Sequence, residues 1–74
     1  MDKPSIGRIV HFRTGYDDGK PCAALIVDVD RKESDNPILL QIFTHDGGRF
    51  SEGFSDVPGE KNHQGHWWEW PQRG

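Results

Sequence analysis

The apolar residues of this chain fall into five short runs, and none of the runs repeats at helical spacing. The runs lie in residues 6–13, 22–30, 38–44, 49–54 and 66–70, and they are separated by segments rich in glycine, proline and aspartate. Short alternating or continuous apolar runs between such segments are typical of β-strands, whereas an amphipathic helix repeats apolar residues every three to four positions. The sequence therefore predicts an all-β protein of five short strands.

The second run, CAALIVDVD, is the most strand-like segment of the chain. Its residues are apolar on both alternating faces, with Cys22, Ala24 and Ile26 on one face and Ala23, Leu25, Val27 and Val29 on the other. A strand that is buried on both sides has this composition, while a strand with one solvated side alternates apolar and polar residues. We therefore expect a central strand that is covered on both faces.

The connections between the runs predict how the strands are arranged. A long loop, TGYDDGK, follows the first run, and Asp46-Gly47 between the third and fourth runs favours a tight hairpin of type I′. A short polar connection containing Pro58 precedes the fifth run. This order is typical of a small five-stranded SH3-like barrel. An OB-like barrel is the alternative, but it normally has a helix between strands three and four, and residues 45–48 leave no room for one.

The length and composition limit the chain to one domain, residues 1–74, with a small core. A chain of 74 residues with 32% hydrophobic residues is close to the lower limit at which an apolar core holds a fold together without help. Any ligand or second subunit that binds only the folded state adds to the stability of such a domain. We therefore expect that ligand binding or homo-oligomerisation stabilises the protein.

Charge and cysteine content exclude several classes of function. Twelve acidic residues against nine basic ones give a net charge of -3 without any basic run, which disfavours nucleic-acid binding. The single cysteine, Cys22, cannot form an internal disulfide, and no apolar segment is long enough for a signal peptide core or a membrane span. The sequence predicts a cytoplasmic protein that does not associate with a membrane.

The polar residues do not form a recognisable catalytic or metal-binding pattern. His63 and His66 have an HxxH spacing, but two ligands are too few for a zinc site, which needs three or four. Asp28 and Asp30 share one side of a strand where it leaves the core, and we expect them to be solvated. The sequence contains no Ser-His-Asp order, phosphate-binding glycine loop or nucleophile elbow. We predict a protein that is not an enzyme and that binds no cofactor or metal.

Three tryptophans, Trp67, Trp68 and Trp70, lie within four residues of each other near the end of the chain. In a strand Trp68 and Trp70 point to one side and Trp67 points to the other, so one core cannot hold all three indoles. An exposed indole beside polar groups anchors protein interfaces or stacks on a planar ligand. Two other outcomes remain open: the outer indole packs beneath the TGYDDGK loop, or the protein associates with itself.

The long first loop of an SH3-like barrel borders the usual ligand surface of that fold. In this chain the same surface can gather Tyr16, Phe12 and Trp67, with charge supplied by Arg8 or Arg13. We predict that these five residues form the binding site. The partner is either a protein or a small nucleotide-like ligand, because an aromatic ring stacks on a base and an arginine pairs with a phosphate.

Three segments resemble a group of short proteins encoded by tailed phages and prophages of bacteria. Members of that group have G-R-x-V-H-[FY] near the N-terminus, a C-x-A-x-[IV]-[VT] strand and a terminal G-x-W-x-W-P-x-R. Residues 7–12 (GRIVHF) match the first motif and residues 22–27 (CAALIV) match the second. Gly65, Trp68, Trp70, Pro71 and Arg73 follow the third, with Trp67 as an additional residue.

This resemblance implies an accessory protein in the cytoplasm of an infected host. Small phage proteins of this size often act by binding, either by occupying a host protein or by sequestering a nucleotide signal of a defence system. The resemblance therefore implies a host-takeover or anti-defence factor. One alternative is a structural protein that forms a homo-oligomer or docks on a virion component, and a second is a barrel that binds single-stranded nucleic acid.

Overall fold

The computed structural model describes residues 3–15, 20–32 and 35–71, and these residues form five β-strands. The strands are β1 (Ile9–Arg13), β2 (Cys22–Asp28), β3 (Ile38–Phe43), β4 (Arg49–Phe54) and β5 (Trp67–Glu69). Each strand lies within the run that predicted it, so the all-β prediction is confirmed. Among the described residues, no helix is long and apolar enough to cross a membrane.

All five strands belong to one antiparallel sheet with the order β4-β3-β2-β1-β5. The sheet curls strongly, because two strands, β2 and β3, lie between β1 and β4 and yet the ring centroids of Phe12 in β1 and Phe54 in β4 are 5.8 Å apart. The curl brings the two edge strands towards each other, and the indole Nε1 of Trp68 in β5 donates a hydrogen bond to the Ser55 carbonyl just after β4 (2.8 Å). The result is a partly open barrel.

The core lies on the concave side of the sheet and receives alternate residues from each strand. Its buried members are Val10, Phe12, Ala24, Ile26, Ile38, Leu40, Ile42, Phe54 and Trp68. Trp68 is the largest fully buried side chain, and its exposed fraction is 0%. Successive residues of a strand point to opposite faces, so the remaining residues of each strand point to the convex side of the sheet.

The convex side of β2 is not covered, so the prediction that this strand is buried on both faces is wrong. Ala23 and Val27 are exposed, and Leu25 is half-buried. A register shift between Ile26 and Asp28 interrupts the alternation after Val27. A bulge of this kind adds one residue to the strand and reverses the faces that follow. Val29 consequently packs against the core, although simple alternation places it on the side of Val27.

The hairpin between β3 and β4 lies where Asp46-Gly47 predicts one, but it has a different turn type. The Thr44 N–H donates to the Gly48 carbonyl (2.8 Å) and the Gly47 N–H donates to the Thr44 carbonyl (3.1 Å). Gly47 has a φ of 93°, and no non-glycine residue in the described chain has a positive φ. A type I′ turn needs two positive φ angles, so this three-residue loop is a type I turn followed by a left-handed glycine.

The carboxylate of Asp46 holds the hairpin loop together. It accepts hydrogen bonds from the Thr44 hydroxyl and from the Gly48 N–H (3.1 Å). The Thr44 hydrogen bond, and after it the Gly48 hydrogen bond, lower the pKa of Asp46 below its ordinary value, because both stabilise the charged form. The ionised carboxylate therefore contributes to the stability of the folded state.

We expect Asp46→Asn to lower stability at neutral pH and to lower it less in acid. A carboxyl group with a lowered folded-state pKa contributes fully above its unfolded pKa of about 4, and the contribution is lost as the pH falls through the folded value. The difference in the free energy of unfolding between the two proteins, from urea titrations at neutral pH and below pH 3, measures this effect. A difference that does not change with pH contradicts the role of the charge.

Replacement of the buried indole tests the assignment of the core. Trp68→Ala removes the largest side chain of the core, and we expect a loss of about 3–5 kcal/mol in the free energy of unfolding. Trp67→Ala, on the other face of the same strand, is expected to cost only about 1 kcal/mol. Urea denaturation followed by circular dichroism measures both variants. Equal losses would show that the two indoles are buried alike and that the strand is placed wrongly.

Candidate functional site

The last strand separates the three tryptophans, as the alternation of a strand requires. Trp68 points into the core, while Trp67 lies on the convex side and is half-buried. Trp70 follows the strand and packs at the end of the barrel, where its ring meets the ring of Trp68 edge to face at a centroid distance of 5.1 Å. Trp67 is therefore the indole that the core does not take up.

Charged side chains surround Trp67 on the convex side. Arg13 of β1 lies directly opposite Trp67 in the register of β1 and β5. The Glu69 Oε1 accepts a hydrogen bond from the indole Nε1 of Trp67 (3.3 Å) and forms an ion pair with Arg13, whose Nε lies 2.9 Å away. The ammonium of Lys61 lies 5.6 Å from the centroid of the Trp67 ring. These four residues form what is called the Trp67 face below.

The Trp67 face combines one planar ring with two cations and one carboxylate. Glu69 fixes the edge of the indole and the inner end of the Arg13 guanidinium, so both groups are oriented before any ligand arrives. The ion pair is about one-third exposed on each side (29% for Arg13 and 31% for Glu69). Lys61 itself is exposed. The face suits a ligand that is both planar and anionic.

Two of the residues predicted for the binding site do not contribute to this face. Phe12 is 4% exposed and belongs to the core, so its assignment to an aromatic ligand surface is wrong. It lies opposite Trp68 in the register, and both side chains consequently point inward. Arg8 is five residues before Arg13, which is about 16 Å along an extended chain. Tyr16 lies outside the described residues.

Arg8 instead belongs to the end of the barrel where β5 finishes. Its guanidinium carbon lies 4.7 Å from the centroid of the Trp70 ring, a distance at which a cation and an indole attract each other. Trp70 in turn packs against Trp68. Arg8 therefore covers an aromatic ring that extends the core. This packing gives Arg8 a structural role that does not require a ligand.

Glu69 and Lys61 are not among the site residues that the sequence predicts. Glu69 shares a strand face with Trp67, and this alternation is a signal that could have identified it. Lys61 comes from the connection between β4 and β5, which has no periodic pattern. Its position depends on the course of that connection, which is fixed by hydrogen bonds to the barrel.

A network around Asn62 fixes this connection. The Asn62 Nδ2 donates to the Glu52 Oε2 (2.8 Å) and to the Gly53 carbonyl (3.0 Å), both in β4. Its Oδ1 accepts the N–H of Gln64 and of His66, each at 3.0 Å. The His66 Nδ1 also meets the Glu52 Oε2 at 2.7 Å. Asn62 thus joins β4 to the turn before β5 without a ladder between the two strands.

The histidines are not arranged as metal ligands. His66 directs its Nδ1 to Glu52, and its ring packs edge to face on Phe12 at a centroid distance of 5.1 Å. His63 is exposed in the preceding turn. Within residues 3–15, 20–32 and 35–71, no three histidine, cysteine, aspartate or glutamate side chains come together as a metal site.

A groove of about 550 Å³ lies near the end of the barrel where β3 begins. It is lined by Lys3, Pro4, Val29, Ile38, Asp56, Val57 and Pro58. The lining is largely apolar, and its one lysine and one aspartate offer no set of converging polar groups. The groove presents no aromatic ring on which a planar ligand can stack.

No family model matches the chain, and comparison with curated proteins and with solved structures finds no match. The resemblance to the phage group therefore stays a prediction. The function has to follow from the geometry of the Trp67 face and from the chemistry that it offers.

Replacement of Asn62 tests the network that places Lys61. Asn62→Asp removes both donated hydrogen bonds and puts a second carboxylate beside Glu52, and we expect a loss of about 3 kcal/mol in the free energy of unfolding. Gln64→Glu is the matched control, since it makes the same change at an exposed position two residues later and is expected to cost less than about 0.5 kcal/mol. Thermal denaturation of both variants distinguishes them. Similar midpoints for both would contradict the role of Asn62.

Proposed function

We propose that this chain is a non-catalytic binding protein that holds a planar anionic ligand against the Trp67 face. The observation that carries the proposal is the position of the Trp67 ring, with Arg13 opposite it in the register and the Lys61 ammonium 5.6 Å from its centroid. Binding of such a ligand needs a ring and cations, and it needs no nucleophile, general base or metal. The proposed protein is not an enzyme.

Within this proposal the fold is a small SH3-like barrel. Three features support that class: a long first loop, a tight hairpin between β3 and β4, and a final strand that returns to pair with β1. The OB-like alternative normally has a helix between its third and fourth strands. In this chain the three-residue loop of the β3–β4 hairpin occupies that position.

The ligand class that fits best is a small nucleotide. A base stacks on an indole at a gain of about 1–3 kcal/mol, and an arginine pairs with phosphate through parallel hydrogen bonds. The base takes the place of the Lys61 ammonium over the ring, and Lys61 and Arg13 contact the phosphate oxygens. Glu69 keeps the Arg13 guanidinium oriented while this happens.

The setting follows from the resemblance to small phage proteins. A phage accessory protein in the host cytoplasm that sequesters a nucleotide signal acts as an anti-defence factor, and sequestration requires only tight binding. The same resemblance suits a host-takeover factor that occupies a host protein. Single-stranded nucleic acid remains the weaker alternative, because the net charge of -3 opposes a long phosphate backbone.

A host protein is the second candidate because apolar side chains are exposed on the same convex side of the sheet. Ile9 of β1 is 62% exposed, and Val27 of β2 is 38% exposed. Ile9 shares a strand face with Arg13, so the apolar surface continues towards the Trp67 face. Exposed apolar residues next to an aromatic anchor are typical of protein interfaces. Assembly into a homo-oligomer or docking on a virion component would use the same surface.

Native mass spectrometry of the protein recovered from bacterial cells tests the proposal. A non-covalent mass of a few hundred daltons, absent under denaturing conditions, is the expected result and identifies the ligand class. A bare monomer that instead recovers one host protein in a pull-down favours the second candidate. A bare multimer that dissociates on dilution favours self-assembly.

Variants of the Trp67 face test which residues bind. We expect Trp67→Ala to abolish the bound mass and Arg13→Gln to weaken ligand binding by at least tenfold, while both variants remain folded at the temperature of the measurement. Arg8→Gln is the matched control, because it removes a guanidinium that stacks on Trp70 at the other end of β1. Titration calorimetry with the recovered ligand measures all three. Loss of binding in Arg8→Gln alone would move the site to the Trp70 end.

A further inference from the structure

The edge of β4 offers a second binding feature, which is separate from the Trp67 face. The Thr44 N–H donates to the Gly48 carbonyl, so Thr44 and Gly48 form a hydrogen-bonded pair. Bonded and non-bonded pairs alternate along an antiparallel ladder. In the register of β3 and β4, the backbone N–H and C=O groups of Arg49, Ser51 and Gly53 therefore point away from β3.

The connection between β4 and β5 covers one outward carbonyl at each edge of the sheet, but no contact of the described residues covers the start of β4. The Gly53 carbonyl accepts the Asn62 Nδ2 (3.0 Å), which also confirms the direction of the edge groups. On the opposite edge, the Trp68 carbonyl accepts the Gly59 N–H (2.8 Å). No described residue donates to or accepts from the outward backbone groups of Arg49 and Ser51. These groups form an open template for one further strand.

The side chain of Phe50, which lies between Arg49 and Ser51 in β4, is also partly uncovered, on the concave side of the sheet. It lies on the side of the sheet that faces the core, since it pairs with the buried Ile42, and yet it is 38% exposed. Its ring packs edge to face on Phe12 at a centroid distance of 5.6 Å. A strand added beside β4 brings a side chain directly opposite Phe50 and covers this ring.

The convex side of β4 carries positive charge. Arg49 is exposed at one end. At the other end, the Arg31 guanidinium occupies the space over Gly53, where a Cβ would lie 2.6 Å from the Arg31 Nη1. Neither arginine forms an ion pair with another described residue. The two cations lie on the same face, with Ser51 between them, on a protein whose net charge is negative.

We propose that the edge of β4 binds an extended acidic peptide, which adds to the sheet as an antiparallel strand. The Arg49 and Ser51 backbone groups supply the hydrogen bonds, Phe50 selects an apolar side chain, and the cations select acidic ones. Read from its N-terminus, the peptide has an acidic residue beyond Ser51 on the side of Arg31, an apolar residue opposite Phe50 and a second acidic residue opposite Arg49. Its pairing with β4 ends at Ser51, because Asn62 already bonds the Gly53 carbonyl. Main-chain pairing of this kind is a common mode of peptide recognition.

Charge argues against a second copy of the chain as the occupant. Two-fold antiparallel pairing of β4 with itself places Arg49 of one copy opposite either Ser51 or Gly53 of the other. The first register brings the two Arg49 side chains diagonally together, and the second puts Arg49 beside the Arg31 that covers Gly53. Like charges that face each other across strands are destabilising. An acidic peptide has the complementary charge.

The test uses a labelled, end-capped peptide, Thr-Glu-Thr-Thr-Val-Glu-Thr, and fluorescence anisotropy. Ser51→Pro removes the N–H that points to the open edge and breaks no backbone hydrogen bond to β3, and proline is tolerated at such positions. It also removes the Ser51 hydroxyl, which donates to the Gln41 Oε1 in β3 (3.3 Å). We expect at least tenfold weaker peptide binding by Ser51→Pro and unchanged binding by Ser51→Ala, which also lacks the hydroxyl but keeps the N–H. Circular dichroism establishes that both variants are folded. Equal affinity for the wild type and a folded Ser51→Pro would overturn the proposal.

A charge exchange separates recognition from an effect on folding. We expect Arg49→Glu to bind the acidic peptide with at least tenfold lower affinity than the wild type. The same variant is expected to bind the matching lysine peptide, Thr-Lys-Thr-Thr-Val-Lys-Thr, more tightly than the wild type does. A merely structural role for Arg49 cannot produce this reversal. Absence of peptide binding by the wild type overturns the proposal. So does a wild-type dimer in light scattering that Ser51→Pro converts to a monomer, since the occupant is then a second copy.

Discussion

The burial of Trp68 is the interaction on which the rest of the structure depends. A side chain of this size fills the concave side of the curled sheet, and its exposed fraction is 0%. A buried indole also needs a hydrogen-bond acceptor, and the Ser55 carbonyl supplies it. Because Ser55 follows β4 and Trp68 belongs to β5, this one side chain ties the two edges of the sheet together. The Trp68 carbonyl in turn accepts a hydrogen bond from the Gly59 N–H, so the segment around Gly59 covers this part of the β5 edge.

The Trp67 face is a consequence of that burial. Once Trp68 points inward, Trp67 must point outward, and antiparallel pairing with β1 brings Arg13 beside it. The core therefore decides which indole reaches solvent and which cation accompanies it. The same constraint acts on Phe12, which lies opposite Trp68 and must join the core.

The sequence predicted the five strands because their apolar residues alternate within short runs, and this pattern depends on local geometry alone. It did not decide between Trp67 and Trp68, because alternation fixes relative faces and not the face that meets the core. Phe12 was misassigned for the same reason. The hairpin loop was placed correctly, but its turn type depends on where the ladder ends. The position of Lys61 follows from Asn62 bonds that join distant segments, and no local pattern predicts such bonds.

In this small, partly open barrel, side-chain hydrogen bonds join the two edges of the sheet, and no strand ladder of the described residues connects them. Asn62 makes that closure to β4, and its neighbour Lys61 extends over Trp67. One peptide unit therefore connects the Trp67 face with the edge of β4. A ligand that displaces Lys61 acts on the residue next to the one that covers Gly53, and a strand added at β4 acts on the same connection from the other side. Coupling between two binding sites is reciprocal. The factor by which a ligand on the Trp67 face changes the affinity for the peptide therefore equals the factor by which the peptide changes the affinity for that ligand.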